Sequence, residues 1–330
     1  MDLGLLGNNL LAPAFLAFAV GMLARFARSD LVFPEALTQA LSIYLLFAIG
    51  LKGGAALGSV AFSEVVVPAL ATVVLGCAMP LLAYPLARRL IGLGRVDAAA
   101  LAAHYGSTSA VTFLTAAAYL THLGEGYEGF MPGLLALMEV PGIAVALWLA
   151  NRGAGGGTQD RPALLPAIGR VLAGKSIVLL LGGMAVGWVA DREALGKIDA
   201  FFVAPFVGVL CLFLLDLGTV AAERLKMLDR RWWRLLLLAL LLPVLGGALG
   251  VGVGSLAGLS PGGATLLGVL CASASYIAAP AAVRVALPSA DLGLCLACAL
   301  GVTFPFNLAV GIPLHHALAT FLAQARLSGL

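Results

Sequence analysis

The chain reads as an all-α polytopic membrane protein of ten transmembrane helices in two inverted five-helix repeats, with the fourth and ninth spans broken. Three observations predict this. First, 62% of the 330 residues are hydrophobic and only 11% are charged, against about 25% charged in an ordinary soluble domain. Too few charges remain to coat a soluble surface, which excludes a soluble enzyme, a disordered chain and a nucleic-acid binder. Second, apolar runs long enough for a span of about 20 residues recur along the chain. Third, the two halves fall into register when one is slid by 166 residues.

The runs lie at about 10–26, 36–57, 64–90, 98–121, 130–150, 173–190, 199–221, 232–256, 262–287 and 291–322. Between the fifth and sixth, NRGAGGGTQDRP (151–162) is the one linker-like stretch, rich in glycine and polar residues. Three units follow: a first five-span repeat at 1–150, a cytoplasmic linker at 151–172 and a second, inverted repeat at 173–330. The N-terminus lacks a basic segment ahead of its first apolar run and reads as a span, not a cleaved signal.

Orientation follows from the lysines and arginines of the short loops. With both termini outside, 15 of the 19 basic residues face the cytoplasm, including Arg88, Arg89, Arg161, Arg230 and Arg231. Trp148, Trp188, Trp232 and Trp233 fall near span ends, where interfacial tryptophans collect. The five cysteines lie in apolar runs; Cys295 and Cys298, although spaced CxxC, read as small hydrophobes on a helix face.

In the shifted register Gly92-Leu93 meets Gly258-Leu259, and Ser107 and Ser109 meet Ser273 and Ser275. Each half has five spans, so the second enters the membrane from the opposite side, an architecture common among secondary transporters. Such proteins bind substrate where discontinuous helices meet at the midplane. HYGSTSAVTF (104–113) and CASASYIAAP (271–280) are a matched pair of interruptions, small and hydroxyl-rich, with Gly106 and Pro280 favouring a break.

A broken helix frees backbone N–H groups that, with the helix dipole, suit an anion. The candidate anion-binding residues are Gly106, Ser107, Thr108, Ser109, Ala272, Ser273, Ala274 and Ser275. Freed carbonyls and hydroxyl oxygens suit sodium; the candidates are Ser109, Thr112, Ser275, Tyr276, Glu139, Thr303 and Asn307. No arginine, lysine or carboxylate pair accompanies the breaks, which points to a small monoanion over a nucleotide or dicarboxylate. The alternative use of these serines is close helix packing.

Glu139 lies mid-span, in LMEVPG. Thr303 and Asn307 flank Pro305 in a corresponding stretch, two residues out of the main register. An intramembrane carboxylate is a functional candidate, here a sodium ligand, a proton site or a cap for the broken helices. Lys52 and Asp216 sit in equivalent spans of opposite direction, so a salt bridge between them is not expected. His104 precedes the first break and reads as a satisfied helix histidine. Adjacent His315 and His316 face different ways, so no metal site is expected there.

With these residues in view, GSTSAVTF, MEVPGI, SASYIAAPAAVR and GVTFPFNLAVGIPL together resemble the SbtA-type sodium-dependent bicarbonate transporter family, over essentially the whole chain. The resemblance implies a core domain (spans 3–5 and 8–10) that moves, elevator-like, against a gate or scaffold domain (spans 1, 2, 6 and 7). It implies a homotrimer in the bacterial inner (plasma) membrane that imports bicarbonate with Na+, with no enzymatic activity and no cofactor beyond the co-transported ion. Bicarbonate would bind the two breaks through Ser107, Ser109, Ser273, Ser275 and neighbouring amides. Relatives are inhibited by a PII-like cytoplasmic protein, for which the linker here is short. The residues by themselves leave open a sodium symporter for another small monocarboxylate, a proton-coupled antiporter using Glu139, and a membrane sensor or scaffold.

Overall fold

The structure, a computed structural model, describes residues 10–58, 60–152, 164–226 and 233–327. Half of the expected linker, with Arg161, and also Arg230, Arg231 and Trp232 lie outside the described residues. Among the described residues the regular structure is entirely helical.

The first half contains α1 (Pro13–Phe26), α2 (Glu35–Leu57), α3 (Phe62–Ile91), α4 (Arg95–Gly106), α5 (Ala110–His122) and α6 (Met131–Asn151). The second contains α7 (Leu164–Leu172), α8 (Lys175–Val189), α9 (Arg192–Phe202), α10 (Phe206–Lys226), α11 (Trp233–Leu256), α12 (Pro261–Ala272), α13 (Ala278–Ala286) and α14 (Leu292–Arg326). Local sequence explains the boundaries. Pro13 opens α1, and Pro261 opens α12 behind Ser260, whose hydroxyl accepts the Gly263 N–H at 3.1 Å. Gly92 and Gly258 hold φ of 80° and 87° in the turns after α3 and α11, a left-handed geometry that suits glycine.

Among the described residues six helices are long and apolar enough to cross a bilayer: α2, α3, α6, α10, α11 and α14. A seventh results if α7 and α8, bent by 45° at residues 173–174, form one span. The other expected spans are built differently. α1 has 14 residues, about 21 Å of helix, because Pro13 sets its start. The fourth and ninth segments are each two short helices around a break.

Two boundaries differ from the sequence reading. The seventh run was expected from residue 199, but Arg192–Phe202 forms a separate helix and α10 starts at Phe206, just past Pro205, which disfavours helix at the residue before it. Tyr44 of α2 holds that separate helix: its hydroxyl donates to the Phe201 carbonyl, and its ring lies 5.6 Å from that of Phe202. The expected linker also carries a helix, α7, whose Ala167 and Val171 are buried against α13 and α6.

Glycines set the tightest packing. α2 lies on α8: a Cβ on Gly54 would overlap the Met184 carbonyl, and one on Gly187 the Leu51 carbonyl. α10 lies on α1 the same way: Gly218 faces the Phe18 carbonyl and Gly21 the Leu215 carbonyl. Small residues that let helix backbones touch are the means of association where lipid offers no hydrophobic gain. α3, α4 and α6 pack together, as do α11, α12 and α14. Carboxylates near helix starts tie the groups: Glu128, ahead of α6, accepts the Ser260 N–H at 2.6 Å, and Asp97, in the first turn of α4, accepts the Asp291 N–H at 2.9 Å.

Lys52 is exposed and Asp216 is buried with Thr38 donating to it at 2.6 Å. The described ion pairs are Arg25–Glu223 and Lys197–Glu193, so Lys52 and Asp216 are not paired with each other. Arg152 stacks on Trp148, 4.1 Å from its ring centre, while Trp188 and Trp233 are largely exposed. Cys295 and Cys298 are buried free thiols.

Candidate functional site

The two interruptions meet inside the protein. α4 ends at Gly106 and α12 at Ala272, each after 12 residues. The next residues take nearly the same extended conformation: Ser107 has φ −100° and ψ 163°, Ser273 φ −89° and ψ 162°. The helices resume at Ala110 and Ala278.

Backbone groups freed at one break are satisfied by the other. The Ser109 N–H donates to the Ser273 hydroxyl at 2.9 Å, and the Ser275 N–H donates to the His104 carbonyl at 2.7 Å. Ser109 then caps α5 by accepting the Thr112 N–H (3.2 Å) and hydroxyl (2.9 Å). Ser275 plays the same part for α13, accepting the Ala279 N–H at 3.1 Å. Pro280 sits in the first turn of α13, where its missing N–H costs nothing. Two further contacts brace the breaks. Gly142 of α6 sits so close to Gly106 that a Cβ there would overlap the Gly106 carbonyl, and Asn307 Nδ2 donates to the Ala272 carbonyl at 2.8 Å.

Between the breaks lies a space of about 10 Å³, lined by Thr108, Ser109, Glu139, Ser176, Ser275 and Tyr276. That is room for about one water or ion. Glu139 is 2% exposed and has neither hydrogen bond nor ion pair among the described residues. The hydroxyls of Ser107 and Thr108 are buried without protein partners. The first turns of α5 and α13 bring their positive dipole ends to the same place. The crossing thus combines helix starts suited to an anion with neutral and acidic oxygens suited to a cation.

Not every sequence candidate is gathered here. Gly106, Ser107, Ala272, Ser273 and Ala274 flank the space and build the crossing. Thr112 is one bond away, through Ser109. Thr303 points elsewhere: it donates to the Ala239 carbonyl at 2.8 Å and meets the Tyr105 hydroxyl at 2.7 Å. Asn307 supports Ala272, with its Oδ1 unpartnered. The His104 ring bonds the Ala100 carbonyl at 2.7 Å, while its Nε2 has no partner. His315 lies against Gly247 and His316 against Tyr119 and Thr265, so the two do diverge.

Sequence reasoning missed Ser176. It lies in the first turn of α8, beyond the bend from α7, and the available signal was a hydroxyl residue at the head of the apolar run SIVLLLGG (176–183).

Crossed half-helices within a bundle of membrane-length helices are an arrangement found in membrane-embedded transporters. Residues 13–320 match the model of the Na+-dependent bicarbonate transporter superfamily. The chain belongs to that superfamily. No individually curated protein matches it.

Proposed function

We propose that the protein imports bicarbonate together with Na+, binding both at the crossing of the two breaks. The observation that carries this reading is the reciprocal pair of bonds, Ser109 N–H to Ser273 and Ser275 N–H to the His104 carbonyl. They hold two helix starts face to face around unpartnered hydroxyls, an arrangement suited to a small monoanion. The match of family over residues 13–320 supplies the substrate and the ion.

Reciprocal packing supports an inverted repeat. α2 sits on α8 as α10 sits on α1: Gly21 and Gly187 obey the 166-residue shift, and Gly54 and Gly218 fall two residues short of it. α4 and α12 obey the shift to the residue, at both ends. On this reading ten segments cross or enter the membrane, two of them as pairs of half-helices. α3–α6 and α11–α14 form the moving core, and α1, α2, α8 and α10 the scaffold.

Sodium binds near Glu139, and its charge favours the anion beside it. Bicarbonate has four heavy atoms and does not fit a space of about 10 Å³, so loading requires the crossing to part from α8. An elevator-like shift of the core provides that parting. A homotrimer in the bacterial inner membrane, with both termini outside, completes the proposal. A PII-like cytoplasmic regulator remains a family expectation.

The test is uptake of labelled inorganic carbon into proteoliposomes at pH 8, with and without an inward sodium gradient. Sodium-dependent uptake is expected. Its absence in well-folded protein overturns the bicarbonate reading. The isolated carboxylate of Glu139 favours one second reading, a proton-coupled antiporter; proton flux without sodium dependence, lost in Glu139→Gln, would select it.

A further inference from the structure

The space at the crossing is walled from two sides. Thr108, Ser109, Ser275 and Tyr276 come from the breaks and Glu139 from α6; Ser176 comes from α8. These groups belong to different packing units, since α8 is pressed against α2 through Gly50, Gly54, Gly183 and Gly187. α8 starts just past the 45° bend at residues 173–174, and Ser176 in its first turn lines the space at the crossing.

Glu139 is buried and unpartnered, and a carboxylate in that state requires a cation or a proton. The Ser176 side chain is likewise buried, 4% exposed, with no hydrogen bond among the described residues. Both face the same ion-sized space as the unpartnered Thr108 hydroxyl. A carboxylate with hydroxyl oxygens is the donor set of a hard cation. The first-turn N–H groups of α8 favour the carboxylate, and the Ser176 oxygen is what α8 offers the cation.

We infer that Ser176 is a sodium ligand supplied by α8, completing with Glu139 and Thr108 a site that is whole only while the crossing is seated against that helix. This rests on the proposed sodium coupling. It makes ion occupancy report on contact between core and scaffold: departure of the crossing from α8 removes one ligand and weakens the hold on sodium.

The test uses purified full-length protein, melted in NaCl or choline chloride at equal ionic strength. Sodium binding to the folded state raises Tm with the logarithm of its concentration once that exceeds Kd. Ser176→Ala is expected to raise the half-saturating sodium concentration about tenfold and to relax the preference for Na+ over Li+. Its Tm in choline chloride should stay unchanged, and Ser176→Thr, which keeps the hydroxyl, should restore binding. Ser176→Cys, close in volume and a poor sodium ligand, gives the same reading should the alanine variant fail to fold. Glu139→Gln should lose the sodium effect. Loss in Glu139→Gln with wild-type sodium dependence in both Ser176→Ala and Ser176→Cys overturns the role of Ser176 alone. A wild-type sodium effect in Glu139→Gln overturns the Glu139 site and this inference together.

Discussion

The two breaks share a backbone path but use their polar groups differently. At the second, the serine hydroxyls are consumed by structure, and Tyr276 keeps a buried hydroxyl without a partner among the described residues. Ser273 donates to the Leu270 carbonyl at 2.9 Å while accepting the Ser109 N–H, and Ser275 caps α13. At the first, Ser107 and Thr108 keep buried hydroxyls without protein partners. The bracing helices repeat the contrast. Thr303 of α14 is bonded on both sides, whereas Glu139, its counterpart in α6, has no partner. One break therefore builds the crossing, and the other leaves groups free for a ligand.

The predictions test that division, beginning with the largest effect. Ser107→Leu and Ser273→Leu both fill the crossing with a bulky apolar group and should abolish uptake while leaving inserted protein, as read by membrane fractionation. Normal uptake by both would remove the site from this place. Gly142→Ala comes next, because its Cβ would overlap the Gly106 carbonyl. The first break must then shift, and uptake should fall by more than about tenfold, the consequence of roughly 1.4 kcal/mol. Alanine at Gly252, where a Cβ meets nothing within 4 Å, is the control.

Ser273→Ala and Ser107→Ala sharpen the comparison directly. The first leaves the buried Ser109 N–H without its acceptor, a cost of about 1–3 kcal/mol, so Tm should fall along with uptake. The second removes a hydroxyl with no protein partner. Tm should move little, within about 0.5 kcal/mol of stability, while KM for bicarbonate rises about tenfold. Equal losses of Tm in the two variants would contradict the division. The smallest effect is expected for Thr303→Val, remote from the space between the breaks. It should lower Tm by unpairing the Tyr105 hydroxyl, with the sodium dependence of uptake unchanged.

Much of this was legible in the sequence, for identifiable reasons. A run of apolar residues must be helical in lipid because the backbone has no other partner there, so most helix boundaries fall within a few residues of the runs. The breaks were legible because two hydroxyl-rich interruptions recur at one spacing. Harder to see was the division between α9 and α10, since the pattern of polar residues in 191–199 runs directly into the apolar one. Where the Thr303 hydroxyl points was hidden for a related reason. Its proximity in sequence to Pro305 and Asn307 says nothing about which neighbour its hydroxyl meets, and Tyr105 with the Ala239 carbonyl claims it.

The sequence alone determined the helical membrane class, the site of both interruptions and the family, because hydropathy and spacing act along the chain. The tertiary structure decided which freed groups satisfy each other, that Ser107, Thr108 and Glu139 stay free, and that Ser176 joins them from α8. Those outcomes depend on contacts between residues far apart in the chain, such as Ser109 with Ser273, 164 positions away. Hydrogen bonds of that kind are selected only when helices already packed by their glycines bring the partners within reach.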